Sequence, residues 1–580
     1  MRRAGRIGWI LVVLAAVSTV AAEGDRYPLR WLYLQANLAD AASTRTAIDV
    51  ISRAARAGLN GVVLADAKFM TLERYGFDQA SSPYHQNVRR LLDVAAASGI
   101  EVIPHIAVVS GAHGLLAYDP NLAEGFEVQD APFEVRGGVA TLVADPGLML
   151  LNGGFEQVTE GRFDGWLNQD DPGRATAPDV TVRKSGLQSM RLDPRAASRP
   201  GLCRIHQKVP VRPRRCYCVS VWLKTAGLEP TGSFKISVSG LSPKGERPLV
   251  FQRFDVEATQ EFRQVHAVFN SLDFEEIDVY LGLWGARGGL AWLDDGELVE
   301  VGLMNVLRRP GCPLTVRSAD GQTTYEERRD FVRVSDPLLG RAQGIPGVYD
   351  RFHASPGIRM LNGLPDGTRL KVGFYHPLID KFTKVDACMT EPKADEILER
   401  QVTRLNRLFH SPRRYMLGYN EIRAAGSCRA CKATGRTPGQ ILADHVRRTV
   451  AMMERVRPGV ELATWHDMFD PSANAVDNYY LVDGTLAGSW EGLPAGMLIV
   501  NWTEGEPAPS LRFFRDRGLA QIISLDFDRT SDAGEAVLAA MKAAEPHGAG
   551  IRGMMYTTWT GRYAHLEAFG QAVASASRDQ

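Results

Sequence analysis

The 580-residue sequence has no excess of either charge, since 67 Lys and Arg balance 67 Asp and Glu. General attraction to nucleic acid or to an anionic membrane is therefore not expected. Beyond the first 22 residues it lacks any apolar run approaching the ~20 residues that a spanning helix needs. It also lacks a Gly-rich phosphate-cradling loop, a Ser-His-Asp arrangement and a catalytic metal constellation, so no cofactor is expected for catalysis. Cysteine is sparse, at seven residues. Cys203, Cys216 and Cys218 fall in one region, Cys312 just beyond, and Cys388, Cys428 and Cys431 later. Cys428-Arg-Ala-Cys431 has the spacing of half a zinc site, but no second ligand pair stands at suitable spacing. A disulfide pinning that loop, with Cys388 as one partner, is the expectation, and the odd count leaves at least one thiol over.

What is present suits a large exported protein. Arg2, Arg3 and Arg6 precede a mostly apolar Ile7 to Val20, and Val20, Ala21 and Ala22 offer a cleavage point before Glu23. Met1 to Ala22 therefore reads as a secretory signal, with an uncleaved anchor as the alternative. A secreted or periplasmic location follows. The length suggests about two to four domains, and a hydrophobic content of 45% is enough for a sizeable core.

Strand and helix patterns alternate at first. Arg30 to Gln35, Asn60 to Asp66 and Glu101 to Ala107 read as strands, with helices over Ser43 to Ala57 and Gln86 to Ala97. That spacing predicts parallel βα units. From about residue 150 to 304 the pattern changes to many short strands of alternating polarity, such as Cys218 to Trp222 and Phe234 to Val238, the signature of a β-sandwich or jelly roll. Strands then resume at Tyr415 to Leu417, Glu461 to Asp467, Met497 to Trp502, Ala520 to Asp526 and Gly553 to Trp559. The predicted fold is a (β/α)8 barrel interrupted by an inserted all-β jelly-roll domain. Boundaries fall at 1–22 (signal), 23–147 (barrel, first part), 148–305 (sandwich), 306–367 (irregular return) and 368–580 (barrel, second part). Arg369 to His376 makes a ninth strand for eight places, and is assigned to the return of the insert.

The chain is organised around Tyr415-Met-Leu-Gly-Tyr-Asn-Glu-Ile-Arg423. A short apolar strand ends at Gly418, and Asn420 and Glu421 follow where barrel enzymes place catalytic groups. An acid walled by aromatics at such a place can protonate a leaving group near neutral pH; the alternative is a surface Glu capping the next helix. His105, Trp465, His466, Asp467, Trp502, Asp526 and Trp559 also stand at strand ends. Aromatic faces with directed polar groups suit a sugar ring, whose faces are apolar and whose hydroxyls need hydrogen bonds.

With those residues in hand, the barrel resembles the family 20 glycoside hydrolases, the β-N-acetylhexosaminidases. Arg30 falls where that family has a sugar-binding Arg. Ile103-Pro-His-Ile106, running on to Gly111-Ala-His113, is similar to its Pro-Glu-Ile-Asp-x-Pro-Gly-His segment, with His113 matching the final His and His105 replacing the Glu. Asn420-Glu421 stands at its Asp-Glu pair, and Trp465, Trp502 and Trp559 stand at its pocket tryptophans. The resemblance implies an oligo- or polysaccharide substrate, Glu421 as general acid/base, and assistance from the substrate acetamido group, whose N–H the Asn420 oxygen can accept. Asp467 and Asp526 complete the candidate pocket. The Asn-Glu pair also resembles the acid/base motif of the large retaining clan, in which Asp526 would be the nucleophile, with Glu491 and Glu504 as loop alternatives. A glycan-binding barrel without turnover is a further reading. The insert resembles jelly-roll carbohydrate-binding modules, which implies sugar-stacking aromatics (Trp166, Trp222, Trp284 and Trp292 are available) and a structural calcium, with Glu156 and Asp295 as candidate ligands.

Overall fold

A computed structural model describes residues 26–580, except 168, 244, 381–383, 503–507, 531 and 578–580; of 547–549 only the backbone is described. The signal at 1–22 and Glu504 lie outside the described residues. Eight parallel strands close a barrel in chain order: β1 (Leu29–Gln35), β2 (Gly61–Ala65), β3 (Glu101–Ile106), β4 (Arg414–Leu417), β5 (Glu461–Trp465), β6 (Leu498–Asn501), β7 (Gln521–Asp526) and β8 (Ile551–Thr557). Closure comes from β8 pairing with β1, Gly553 opposite Leu29 and Tyr556 opposite Leu32. Alternate strand residues point inward and fill the interior, among them Trp31, Tyr33, Val63, Ile103, Met416, Trp465, Val500 and Met555.

Seven helices cover the barrel: α1 (Ala41–Arg56), α2 (Pro83–Ala97), α3 (Pro392–Leu408), α4 (Pro438–Val456), α5 (Ala508–Arg515), α6 (Ala533–Ala544) and α7 (Leu566–Ala576). Among the described residues no α-helix stands between β5 and β6, where 3-10 turns at Asp467–Phe469 and Ser489–Gly492 take its place. The barrel is thus closed and parallel but lacks one helix of the full alternation. Helix starts carry their own chemistry. Asp40 and Ser82 accept the Ser43 and His85 amide N–H groups, and Thr437 with Gln440 forms a reciprocal capping box. Pro83, Pro392 and Pro438 sit in the first turn, where a missing N–H costs nothing; Pro83 starts α2 earlier than the expected Gln86.

Between β3 and β4 the chain builds two further layers. A β-sandwich packs a four-stranded antiparallel sheet (Leu202–Pro210, Glu276–Trp284, Phe234–Ser242 and Gly245–Arg253) against a five-stranded one (Gln260–Asn270, Cys216–Glu229, Gly288–Glu300, Ser189–Leu192 and Thr176–Asp179) around a separate core. The second layer is a six-stranded antiparallel sheet. Its centre pairs Arg369–His376 with Phe126–Arg136 on one side and Thr315–Ser318 on the other. The ninth strand candidate therefore belongs here and not in the barrel. Phe126–Arg136, from the stretch read as barrel, is its partner.

The cysteine expectation is overturned. All seven thiols are free and buried. Cys388 Sγ lies 3.6 Å from both Cys428 Sγ and Cys431 Sγ, well beyond the ~2.05 Å of a disulfide. No described helix is long and apolar enough to cross a membrane.

Candidate active site

β4 ends by leaning on β3. Met416 and Leu417 pair with His105 and Ile106, and the Gly418 amide N–H donates to the Ile106 carbonyl at 2.7 Å. A Cβ at Gly418 would lie 2.9 Å from that carbonyl oxygen and 3.0 Å from the His105 ring, so only glycine lets the chain pass there. Tyr419 turns outward and shares hydrogen bonds with His445 Nδ1 and Thr449 Oγ1 of α4. Asn420 and Glu421 are left at the C-terminal mouth.

Glu421 has a positive φ of 46°, a costly conformation for a side-chain-bearing residue. It is held there by Asp467, whose Oδ2 accepts the Glu421 amide N–H at 2.8 Å and the Asn474 Nδ2–H at 2.8 Å. Asp467 is fully buried. That burial, opposed by these two hydrogen bonds, pushes its carboxyl up to about 7. The Glu421 carboxylate, 29% exposed, forms a 2.7 Å salt bridge with Arg423 Nη2. Arg423 is buried beneath Tyr480 and also pairs with Asp380. The Arg423 and Ala424 amides donate to Asp386 Oδ2 at 2.8 and 2.9 Å, and burial pushes Asp386 up to about 7 as well. Asn420 is half-buried, and its amide has no hydrogen-bond partner among the described residues.

An aromatic wall stands at the β1, β5 and β8 ends of the same mouth. Tyr33 contacts Trp465, Trp559 and His105 at ring separations of 5.5, 5.2 and 5.7 Å, and Trp465 lies 6.0 Å from Trp559. Trp465 is buried, whereas Trp559 is 46% exposed at the rim. His105 is half-buried, with its Nε2 atom enclosed and unpartnered among the described residues. Burial, helped by Lys384, pushes its imidazole down to about 4, so it is neutral at physiological pH. A cavity of about 490 Å³ opens on the β1–β3 side, lined by Asn37, Asp66, Lys68, His105 and His113. Glu421 does not line it.

The mouth thus brings together Asn420, Glu421, His105, His113, Trp465, Asp467, Trp502 and Trp559, with the Trp502 ring edge-on to His466 at 5.6 Å. Two candidates lie elsewhere or face elsewhere. Arg30 begins β1 at the opposite end of the barrel, where Nε donates to the Gly58 carbonyl at 2.8 Å. Asp526 ends β7, but its Oδ1 accepts the Asp528 amide N–H at 2.9 Å and it faces Arg529 at 3.9 Å. Glu491 is exposed on the 3-10 turn beside α4. Sequence reasoning missed Tyr33, Asp386 and Arg423; only Arg423, two residues beyond Glu421, carried any local signal.

In the sandwich, Trp166 and Trp292 are buried and hydrogen-bond to the Asn152 carbonyl and Asp179. Trp284 is half-buried on the outer face of the four-stranded sheet. Tyr280, stacked on His206 at 4.5 Å, shares that face, as does Phe251, 6.1 Å from Trp284. Trp222 lies under Lys184. Glu156 and Asp295 both approach Gly154. Glu156 accepts the Leu187 amide N–H, and Asp295 accepts the Ser185 hydroxyl at 2.7 Å. No third carboxylate, His or Cys joins them among the described residues, so calcium there would need backbone carbonyls and water to fill its shell.

No protein-family model and no curated protein matches the chain. Among solved structures, it is similar to a "Family 16 Carbohydrate Binding Module-2" (20% identity, covering 26% of this chain and 99% of that one, TM-score 0.20). It is also similar to the CBM22-1 xylan-binding domain of Paenibacillus barcinonensis Xyn10C (17% identity, 28% and 97%, TM-score 0.20). A third similarity is to a rhamnosidase from Novosphingobium sp. PP1Y (10% identity, 95% of this chain and 59% of that one, TM-score 0.37).

Proposed function

We propose that the protein is a secreted glycoside hydrolase acting on N-acetylhexosamine-containing or related glycans, a divergent relative of the family 20 β-N-acetylhexosaminidases. One observation carries this reading: Asn420, Glu421 and Asp467 stand at the C-terminal mouth of a parallel barrel whose β1, β5 and β8 ends carry the packed rings of Tyr33, Trp465 and Trp559. In the first step the substrate acetamido oxygen attacks the anomeric carbon while the Glu421 carboxylic acid gives its proton to the glycosidic oxygen. The carboxylate left behind faces the Arg423 guanidinium. Asn420, with its amide unengaged, accepts the acetamido N–H. Water then opens the oxazolinium, and Glu421 takes back a proton. Asp467 touches no substrate in this scheme; it fixes the Glu421 backbone.

Chromogenic N-acetylglucosaminide and N-acetylgalactosaminide assays test this. Glu421→Gln should lower kcat by about 10²- to 10⁴-fold with little change in ligand affinity. An unchanged kcat would remove Glu421 from the chemistry. A glycan-binding barrel without turnover is the second reading, favoured by the Glu421–Arg423 salt bridge that engages the carboxylate; binding with no hydrolysis of any glycan would select it. A direct nucleophile at Asp526 would have to attack through Oδ2, which faces Arg529 at 3.9 Å, since Oδ1 accepts the Asp528 amide N–H. In the sandwich, the proposed roles are sugar stacking on the Tyr280–Trp284 face and a structural calcium at Glu156 and Asp295.

A further inference from the structure

Away from the mouth, four buried donors from segments far apart in sequence converge on one point. They are Glu124, Cys388, Cys428 and Cys431, whose ligand atoms all lie within 4.8 Å of one another. Cys388 Sγ is 3.6 Å from the sulfurs of Cys428 and Cys431, and Cys431 Sγ is 3.6 Å from Glu124 Oε2. A tetrahedral zinc with Zn–S bonds of ~2.3 Å has sulfur–sulfur edges of ~3.8 Å, close to what is found. Cys312 lies against Cys428 as a further thiol outside the four-donor group, and the separations of Cys388 from Cys428 and Cys431 are well beyond the ~2.05 Å of a disulfide.

The surroundings fix the donors in place. Glu124 Oε1 accepts the amide N–H groups of Ser427 and Cys428, both at 2.8 Å, leaving Oε2 turned to the sulfurs. The Cys431 amide N–H points at Cys428 Sγ at 3.5 Å, as in the tight turn of a Cys-x-x-Cys knuckle. Three thiolates and a carboxylate carry four negative charges, which cannot share a buried point without cations. A divalent ion supplies two. The buried guanidinium of Arg309, itself paired with Glu391, also lies in the field of Cys388, Cys312, Cys428 and Glu124.

We propose that Glu124, Cys388, Cys428 and Cys431 form a structural zinc site that fastens the loop following Glu421 to the excursion leaving β3. All four positions are filled by protein and the cluster is buried, so the ion would brace the fold and not activate water. The site does not depend on what the barrel mouth binds.

The full chain purified without chelator should hold about one equivalent of zinc by elemental analysis. A mercurial thiol reagent should release that zinc to a colorimetric indicator. Cobalt(II) in its place should give sulfur-to-cobalt charge-transfer absorption in the near ultraviolet. Cys388→Ser and Cys431→Ser should each lose the metal, whereas Cys203→Ser, at a buried thiol of the sandwich, should keep it. Should the ligand variants fail to fold, the unaltered protein decides. No bound zinc after purification or refolding with the ion overturns the site, whether mass and thiol titration then find a disulfide or three free thiols.

Discussion

At the scale of single residues, Glu421 is set by its backbone. The buried Asp467 carboxylate holds its amide in a left-handed conformation and so aims the side chain. The same burial makes Asp467 and Asp386 sensors of pH. Both carboxyls are raised from 3.8 to about 7 in the folded protein. Between about pH 4 and about pH 7 the folded state therefore keeps protons that the unfolded state has released. Stability is greatest below the unfolded value and falls as pH rises through the folded one, by about 1.4 kcal/mol per pH unit for each group. Urea unfolding from about pH 5 to about pH 7 should show this decline, and Asp467→Asn, which retains an oxygen acceptor, should flatten it by roughly one group's share. An unchanged slope would mean that Asp467 is ionised throughout.

At the scale of elements, the barrel strands were legible because apolar runs with catalytic-type ends recur at βα spacing, and all eight lie within two residues of where the pattern puts them. The six-stranded sheet was not. Phe126–Arg136 and Arg369–His376 pair across a separation that no local period reports, and their alternating burial fits any half-buried strand. The site divides the same way. Asn420, Glu421 and Asp467 announce themselves at strand ends, whereas Arg30 failed because its place at the start of β1 puts it at the other end of the barrel. Of the zinc-type cluster only the Cys428–Cys431 half was legible, because the other two donors, Glu124 and Cys388, come from distant loops and form no ligand pair in sequence. One contact joins elements across the layers: Arg247, on the edge strand of the sandwich, donates to the Tyr480 and Val482 carbonyls at 3.0 and 2.8 Å. Arg247→Ala should cost roughly 1.5–3 kcal/mol per lost bond at most, and scanning calorimetry should show the transition broadening as sandwich and barrel uncouple. A single sharp transition at the original temperature would mean the contact is idle. On the outer face of the same sheet, Tyr280→Ala with Trp284→Ala should weaken polysaccharide binding by about 1–3 kcal/mol while leaving hydrolysis of a small chromogenic glycoside unchanged. Equal loss of both would assign those rings to folding. EGTA should lower the melting temperature, and added calcium should restore it, if Glu156 and Asp295 hold the ion.

At the scale of the molecule, the sandwich is not a free bead. Cys216 and Cys218 point from its five-stranded sheet into the core of the six-stranded one, and Asn270 bonds to His376 and to the Glu127 carbonyl. A fragment of 148–305 exposes that apolar face and should aggregate, whereas 126–376 keeps it covered and should unfold cooperatively; sedimentation and calorimetry distinguish the two. The same arrangement bears on how the chain is made. β3 and β4 are side by side in the finished sheet, yet about 300 residues separate them. At ~5–20 residues per second of synthesis, β3 presents an unmated edge for roughly 15–60 s before its neighbour exists. The sandwich, whose partners are closer together in sequence, can compact in that interval. Synthesis of this chain would thus require something to shield a three-stranded half-barrel while the ribosome catches up.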